Sequence, residues 1–87
     1  MYKNIAFYKI LAKILKKGAF MHRIPVESSN IATIGFANGV LEIEFKSGSV
    51  YQYYNVPADV HSKIMLAESK GKYFNLHIKG VYDFAKI

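Results

Sequence analysis

The residues able to do chemistry are few, and their spacing is poor for catalysis. His22, His61 and His77 form neither an HxxxH nor an HExxH pair, and no acid stands at a fixed helical offset from any of them. They read as structural or surface residues. Glu42 and Glu44 alternate with Leu41, Ile43 and Phe45, which puts both carboxylates on the solvent face of a strand, where no burial would tune them as an acid–base pair. The chain has no cysteine, so it has no disulfide, cysteine-ligated zinc or thiol nucleophile, in keeping with a cytoplasmic location. The expectation is a protein that is not an enzyme and carries no metal or cofactor.

Binding chemistry is better represented. Tyr51, Tyr53, Tyr54, Tyr73 and Phe74 are numerous for so short a chain, and aromatic rings on a sheet face flanked by lysines are a common platform for stacking single-stranded RNA. The competing role for these rings is the core, since a chain without tryptophan must fill its interior with other large side chains. Lys70 and Lys72 bracket Gly71 just ahead of Tyr73-Phe74-Asn75, bringing cations, open backbone and aromatics together as a phosphate-contacting loop, or as a solvated helix end. Ser28-Ser29-Asn30 reads either as an anion-holding turn or as a triplet that ties its own backbone together.

These residues need a scaffold, and 87 residues leave room for a single domain. The net charge of +6 is unevenly spread. Residues 1–23 carry Lys3, Lys9, Lys13, Lys16, Lys17 and Arg23 with no acid, whereas the six lysines and six acids of residues 24–87 cancel. Residues 2–17 have the period of a basic amphipathic helix, with Lys9, Lys13, Lys16 and Lys17 on one arc and Phe7, Tyr8, Leu11, Ile14 and Leu15 on the other, stopped by Gly18. Interspersed lysines argue against a cleaved signal peptide, and the apolar stretches are far short of the roughly 18–20 residues of a transmembrane span. The leader, residues 1–22, therefore packs its Phe7, Leu11 and Ile14 stripe on the domain, on a partner or on a second copy, or meets nucleic acid or a membrane surface with its lysine face. Met21 offers an alternative start.

The domain, residues 23–87, reads as strand 31–36, a tight turn at Ala37-Asn38-Gly39, strand 40–45, a turn at Lys46-Ser47-Gly48, and strand 49–54 with Tyr51 and Tyr53 on one face. A helix over 57–69 follows, opened by Pro57 and ended by Gly71, with Val60, Ile64 and Ala67 as its core stripe. The aromatic stretch after it is compatible with short helical turns or a closing strand. The fold class is α+β: an N-terminal amphipathic helix, a three-stranded antiparallel meander, one helix and a short C-terminal aromatic segment.

Taken in order, Ser28-Ser29-Asn30-Ile31, Ile34-Gly35-Phe36, Leu41-Glu42-Ile43-Glu44-Phe45, Gly48, Tyr51-Gln52-Tyr53, Val56-Pro57, Ala67, Ser69, Gly71, Tyr73-Phe74-Asn75 and Ile78 give residues 26–86 a pattern that resembles the KTSC domain family. The YxY and YFN segments are its specific parts. Phe36 and Ala37 depart from a tyrosine and an acid common there, losing a hydroxyl and a charge. The resemblance implies a domain that extends some lysyl-tRNA synthetases at their C-terminus and also stands alone in bacteria and phages, without an established activity. RNA binding is the conjecture that the synthetase context prompts.

Two functions follow. One is an RNA-binding module using Tyr51, Tyr53, Tyr73, Lys70 and Lys72 with the leader's Lys9, Lys13, Lys16 and Lys17. The other is a protein-interaction module, such as a phage or prophage accessory factor that docks on a host protein or ribonucleoprotein complex and modulates or inhibits it.

Overall fold

The computed structural model describes residues 21–87. The expected leader helix, with Phe7, Leu11, Ile14 and the lysines at 9, 13, 16 and 17, lies outside these residues. In chain order the elements are β1 (Arg23–Pro25), β2 (Ile31–Ala37), β3 (Val40–Phe45), β4 (Val50–Tyr53), α1 (Ala58–Leu66), α2 (Lys70–His77) and β5 (Phe84–Lys86). The expected meander is the centre of a five-stranded antiparallel sheet in the order β1-β2-β3-β4-β5.

Local chemistry explains the central hairpin. Asn38 and Gly39 both take positive φ, 51° and 80°, the pair of conformations a two-residue turn needs to match the strand twist, and Ala37 pairs with Val40 across it. The flanking strands β1 and β5 are three residues each, too short for a period to show. Pro25 is tolerated because β1 is an edge strand, where a missing N–H leaves no gap in a ladder.

The expected single helix is two. Ala67 leaves α1 in an extended conformation, and Ser69 then opens α2, its Oγ accepting the Lys72 N–H at 3.3 Å. Gly71 thus lies in the first turn of α2 and does not end α1. Its missing side chain makes room for Asn30, whose Oδ1 would sit 2.6 Å from a Cβ at that position. Pro57 caps α1 through its backbone, its carbonyl accepting the Val60 N–H at 3.0 Å.

Register divides the sheet into two faces. The rows Ile34–Ile43–Tyr51 and Phe36–Leu41–Tyr53–Phe84 share one face, where Ile34, Leu41, Ile43 and Tyr53 pack under Ile64 of α1, Phe74 of α2 and Ile78 just after it. The row Gly35–Glu42–Gln52–Ala85 lies on the other. Here the structure corrects the solvated strand face expected for both glutamates. Glu42 is buried, paired with Arg23 through Oε2 and accepting from Gln52 Nε2 at 2.6 Å through Oε1. The Tyr54 hydroxyl donates to Gln52 Oε1 at 3.2 Å, extending the network along β4. Arg23 comes from β1, so the strand that the period could not reveal supplies the counter-charge that makes a buried carboxylate tolerable. Glu44 stays partly exposed, accepting from the Thr33 hydroxyl at 3.0 Å.

Candidate functional site

The helices leave the β4–β5 end of their sheet face open, forming a cleft of about 610 Å³, within the several-hundred-Å³ range of small-ligand sites. Its aromatic surface comes from Phe45, Tyr51, Tyr53, Phe74 and Phe84. The period-2 alternation of β3 and β4 sends Phe45, Tyr51 and Tyr53 to this face, β5 brings Phe84 opposite Tyr53, and α2 lowers Phe74 onto the group. The rings interlock: Phe74 meets Phe45 and Tyr53 edge-on at 5.4 and 5.5 Å, and Phe84 lies 6.0 Å from Tyr51 and 5.8 Å from Tyr53.

These rings have different duties. Tyr53 is 5% exposed and belongs to the core, while Phe84 is 52% exposed and Tyr51 half-buried, so the accessible aromatic surface is Tyr51 with Phe84. Burial, with the neighbouring Tyr51 as a lesser cause, pushes the Tyr53 phenol up to about 12. On the opposite face, burial and then the Glu42 carboxylate push Tyr54 to about 12 as well.

The polar lining is neutral or cationic. Asn30, Ser47 and Ser49 contribute carboxamide and hydroxyl groups from the loops around β3, and Asn75 and Lys79 add theirs from α2 and the residues after it. Among the described residues no carboxylate, imidazole or arginine lines the cleft. The cleft can therefore stack a flat ring, hydrogen-bond its edge and neutralise an anion, but it holds no pair of groups for proton transfer.

Of the residues singled out from sequence, the structure brings Tyr51, Tyr53 and Phe74 into the cleft, and it places Tyr54, Lys70, Lys72 and Tyr73 outside its lining. The Lys70 ammonium donates to the Ala67 carbonyl at 2.9 Å, where it offsets the negative end of α1. Lys72 is exposed on α2, and Tyr73 packs on His77 with ring centres 4.5 Å apart. His61 stacks on Phe36 at 4.9 Å and 9°, where burial lowers its pKa. The serines and asparagine at 28–30 tie their own backbone, Ser28 Oγ accepting the Ile31 N–H at 3.2 Å, yet Asn30 also lines the cleft. Sequence reasoning missed Phe45, Asn75, Lys79 and Phe84 as site residues. Phe45 was visible in the β3 alternation, and Asn75 and Lys79 stand four apart, one helical turn, whereas nothing local marked Phe84. Among the described residues no cluster of three or more histidines or acids could hold a metal ion, and no helix is long and apolar enough to cross a membrane.

Comparison with known proteins agrees with this architecture. The crystal structure of a KTSC domain protein from Yersinia pestis superposes with a TM-score of 0.75 at 44% sequence identity, covering 78% of this chain and 99% of that one. A protein of Stutzerimonas stutzeri is 37% identical over 57 residues, 63% of this chain and 80% of its own length. A lysine–tRNA ligase of Nostoc punctiforme is 49% identical over 47 residues, which are 54% of this chain but 8% of the ligase. Residues 27–82 match the KTSC domain as a family. That match spans most of the sheet and both helices, every element lining the cleft except β5, and the chain belongs to the KTSC domain family.

Proposed function

We propose that this chain is a non-catalytic binding module that takes unpaired RNA into the aromatic cleft. One observation carries the reading: Tyr51 and Phe84 present accessible ring surface in the same cleft as Lys79, the one charged group among the described lining residues. Stacking serves any base, and a lysine at the rim serves the phosphate that follows it. The lysine–tRNA ligases among the relatives act, by name, on a tRNA, and kinship with them favours RNA over other polyanions. The leader lysines at 9, 13, 16 and 17, with Lys70 and Lys72, would add long-range attraction without base contact.

The test is a titration of the full chain with labelled single-stranded RNA at several salt concentrations. Each neutralised phosphate contributes a slope of about −0.7 in log K against log salt, so Lys79→Ala should flatten the plot by about that amount. Phe84→Ala should weaken binding by about 1–3 kcal/mol, the measured range for one base–aromatic stack. Binding that disappears near physiological salt and ignores both substitutions is attraction to the leader alone and ends the RNA reading. Docking on a host protein or ribonucleoprotein complex, through exposed apolar residues such as Leu66, Leu76 and Val81, is then the reading to pursue.

A further inference from the structure

We infer that residues 1–20 dock on the sheet face opposite the two helices, setting the Phe7, Leu11 and Ile14 stripe of the leader on a second core made by Val40, Tyr54 and Ala85. This surface lies across the sheet from the cleft and is independent of the RNA reading.

An antiparallel sheet with helices on one face commonly leaves its other face to water, and that face is then polar. Here Val40, Tyr54 and Ala85 form an apolar cluster on it, with Tyr54 2% and Ala85 4% exposed, beside the buried Glu42 and Gln52. The helices do not explain that burial, since Ile64 of α1 and Phe74 of α2 belong to the core on the opposite face. Among the described residues, the partly buried apolar side chain that packs against the second cluster is Met21. β1 and β5 form opposite edges of the sheet, four steps of about 4.8 Å apart, so a methionine at the start of β1 cannot also shield Ala85 of β5. The cover must be longer than one side chain.

The direction of the chain supplies one. Gly35 of β2 pairs with Arg23, and a Cβ there would lie 2.6 Å from the His22 carbonyl oxygen and 3.2 Å from Met21 Cγ. The residues leading into β1 therefore ride on this face of β2, and residues 1–20 reach the domain over it. As a helix, residues 2–17 would run about 24 Å, enough to cross five strands. Gly18, Ala19 and Phe20 join that helix to Met21 by a tether of no more than about 14 Å, which keeps the stripe at high effective concentration over its own sheet. Polarity matches too. Phe7, Leu11 and Ile14 meet the apolar cluster, while Lys9, Lys13, Lys16 and Lys17 on the opposite arc stay in water. An amphipathic helix draws most of its stability from packing its apolar face, so docking and helix formation support each other.

The chain has no cysteine, so Lys9→Cys in the full chain places a single nitroxide on the solvent arc of the leader, and amide broadening in NMR reads its position. The amides of Val40, Tyr54 and Ala85 should broaden strongly, and those of Lys72 and Leu76 on α2, a layer further away, should keep most of their intensity. A mixture of nitroxide-labelled chain without 15N and 15N-labelled chain without nitroxide should show no broadening. Broadening in the mixture assigns the cover to the leader of a second copy and overturns docking within one chain. Leu11→Asp should abolish the broadening and lower Tm by about 8 °C or more, the low end for a buried leucine lost from a domain of this size. Lys13→Gln, on the opposite arc, should stay within about 4 °C of the parent chain. Broadening that is strongest on α2, or equal Tm for the two substitutions, overturns the inference, and the second face then belongs to a separate partner.

Discussion

Glu42 and Glu44 look alike in the sequence, two carboxylates alternating with apolar residues on one strand, and the structure expects them to respond very differently to loss of charge. In Glu42→Gln the shape is kept, but the site has two donors aimed at it: the Arg23 guanidinium at Oε2 and Gln52 Nε2 at Oε1. Whichever way the new carboxamide turns, its NH₂ end faces a donor, and Arg23 loses its nearer counter-charge, keeping, among the described residues, only Glu44 at 3.8 Å. Breaking one side of a buried pair costs about 3–5 kcal/mol. The Glu42 side chain is 3% exposed but Arg23 is 23% exposed and keeps some water, so the expected loss is at the lower end, about 3 kcal/mol. Glu44→Gln changes a side chain that is 32% exposed and 3.8 Å from Arg23, and the Thr33 hydroxyl can donate to the amide oxygen as well as to the carboxylate. Its cost should be about 0–1 kcal/mol. For a domain of this size each kcal/mol moves Tm by about 4–8 °C, so Glu42→Gln should lower Tm by about 12–24 °C and Glu44→Gln by no more than about 8 °C. Thermal unfolding followed by circular dichroism measures both, with urea unfolding to check that the m-value is unchanged. Losses that agree within about 1 kcal/mol would refute the argument that Arg23 of β1, reaching across Gly35 of β2, neutralises a buried Glu42.

Tyr53 and Phe84 test core against platform. Tyr53→Ala should cost about 3–5 kcal/mol, and Phe84→Ala about 1 kcal/mol for half the burial of a full ring. Comparable urea midpoints for the two variants would remove the distinction. The raised phenols of Tyr53 and Tyr54 favour the neutral form in the fold, so their contribution is whole below pH 10 and is lost as pH climbs from 10 towards about 12. An alkaline titration followed by phenolate absorbance should show the Tyr53 and Tyr54 phenols ionising only as pH approaches about 12, together with loss of the circular dichroism signal; unfolding already complete near pH 10 would contradict it. Gly71→Ala should be nearly neutral for stability, because a helix-propensity gain of about 1 kcal/mol is offset by the displacement of Asn30. In an Asn30→Ala background the same change should stabilise by close to that full amount in urea unfolding, and an equal effect in both backgrounds would show that the two residues do not meet.

What the sequence determined by itself was whatever is written in local period and turn chemistry. The β3 alternation, the Asn38-Gly39 turn, the Tyr51/Tyr53 face of β4 and the Pro57 helix start are each set by residues within a few positions of one another, so their energetics are visible without a partner. Family membership was legible for the same reason, through the ordered YxY and YFN segments. The tertiary structure decided everything that depends on a distant partner. Arg23 reverses the environment of Glu42 from nineteen positions away. Gly71 opens the body of a helix, where its usual role is to end one, because Asn30 needs the space. β1 and β5 exist as strands because β2 and β4 offer them unpaired backbone, and three residues are too few to advertise a period. The cleft is the same lesson: β3, β4, β5 and α2 each supply one or two of its rings, and no single segment contains enough of it to be recognised. A binding surface assembled from side chains far apart in sequence is set by register and packing, which a one-dimensional pattern does not encode.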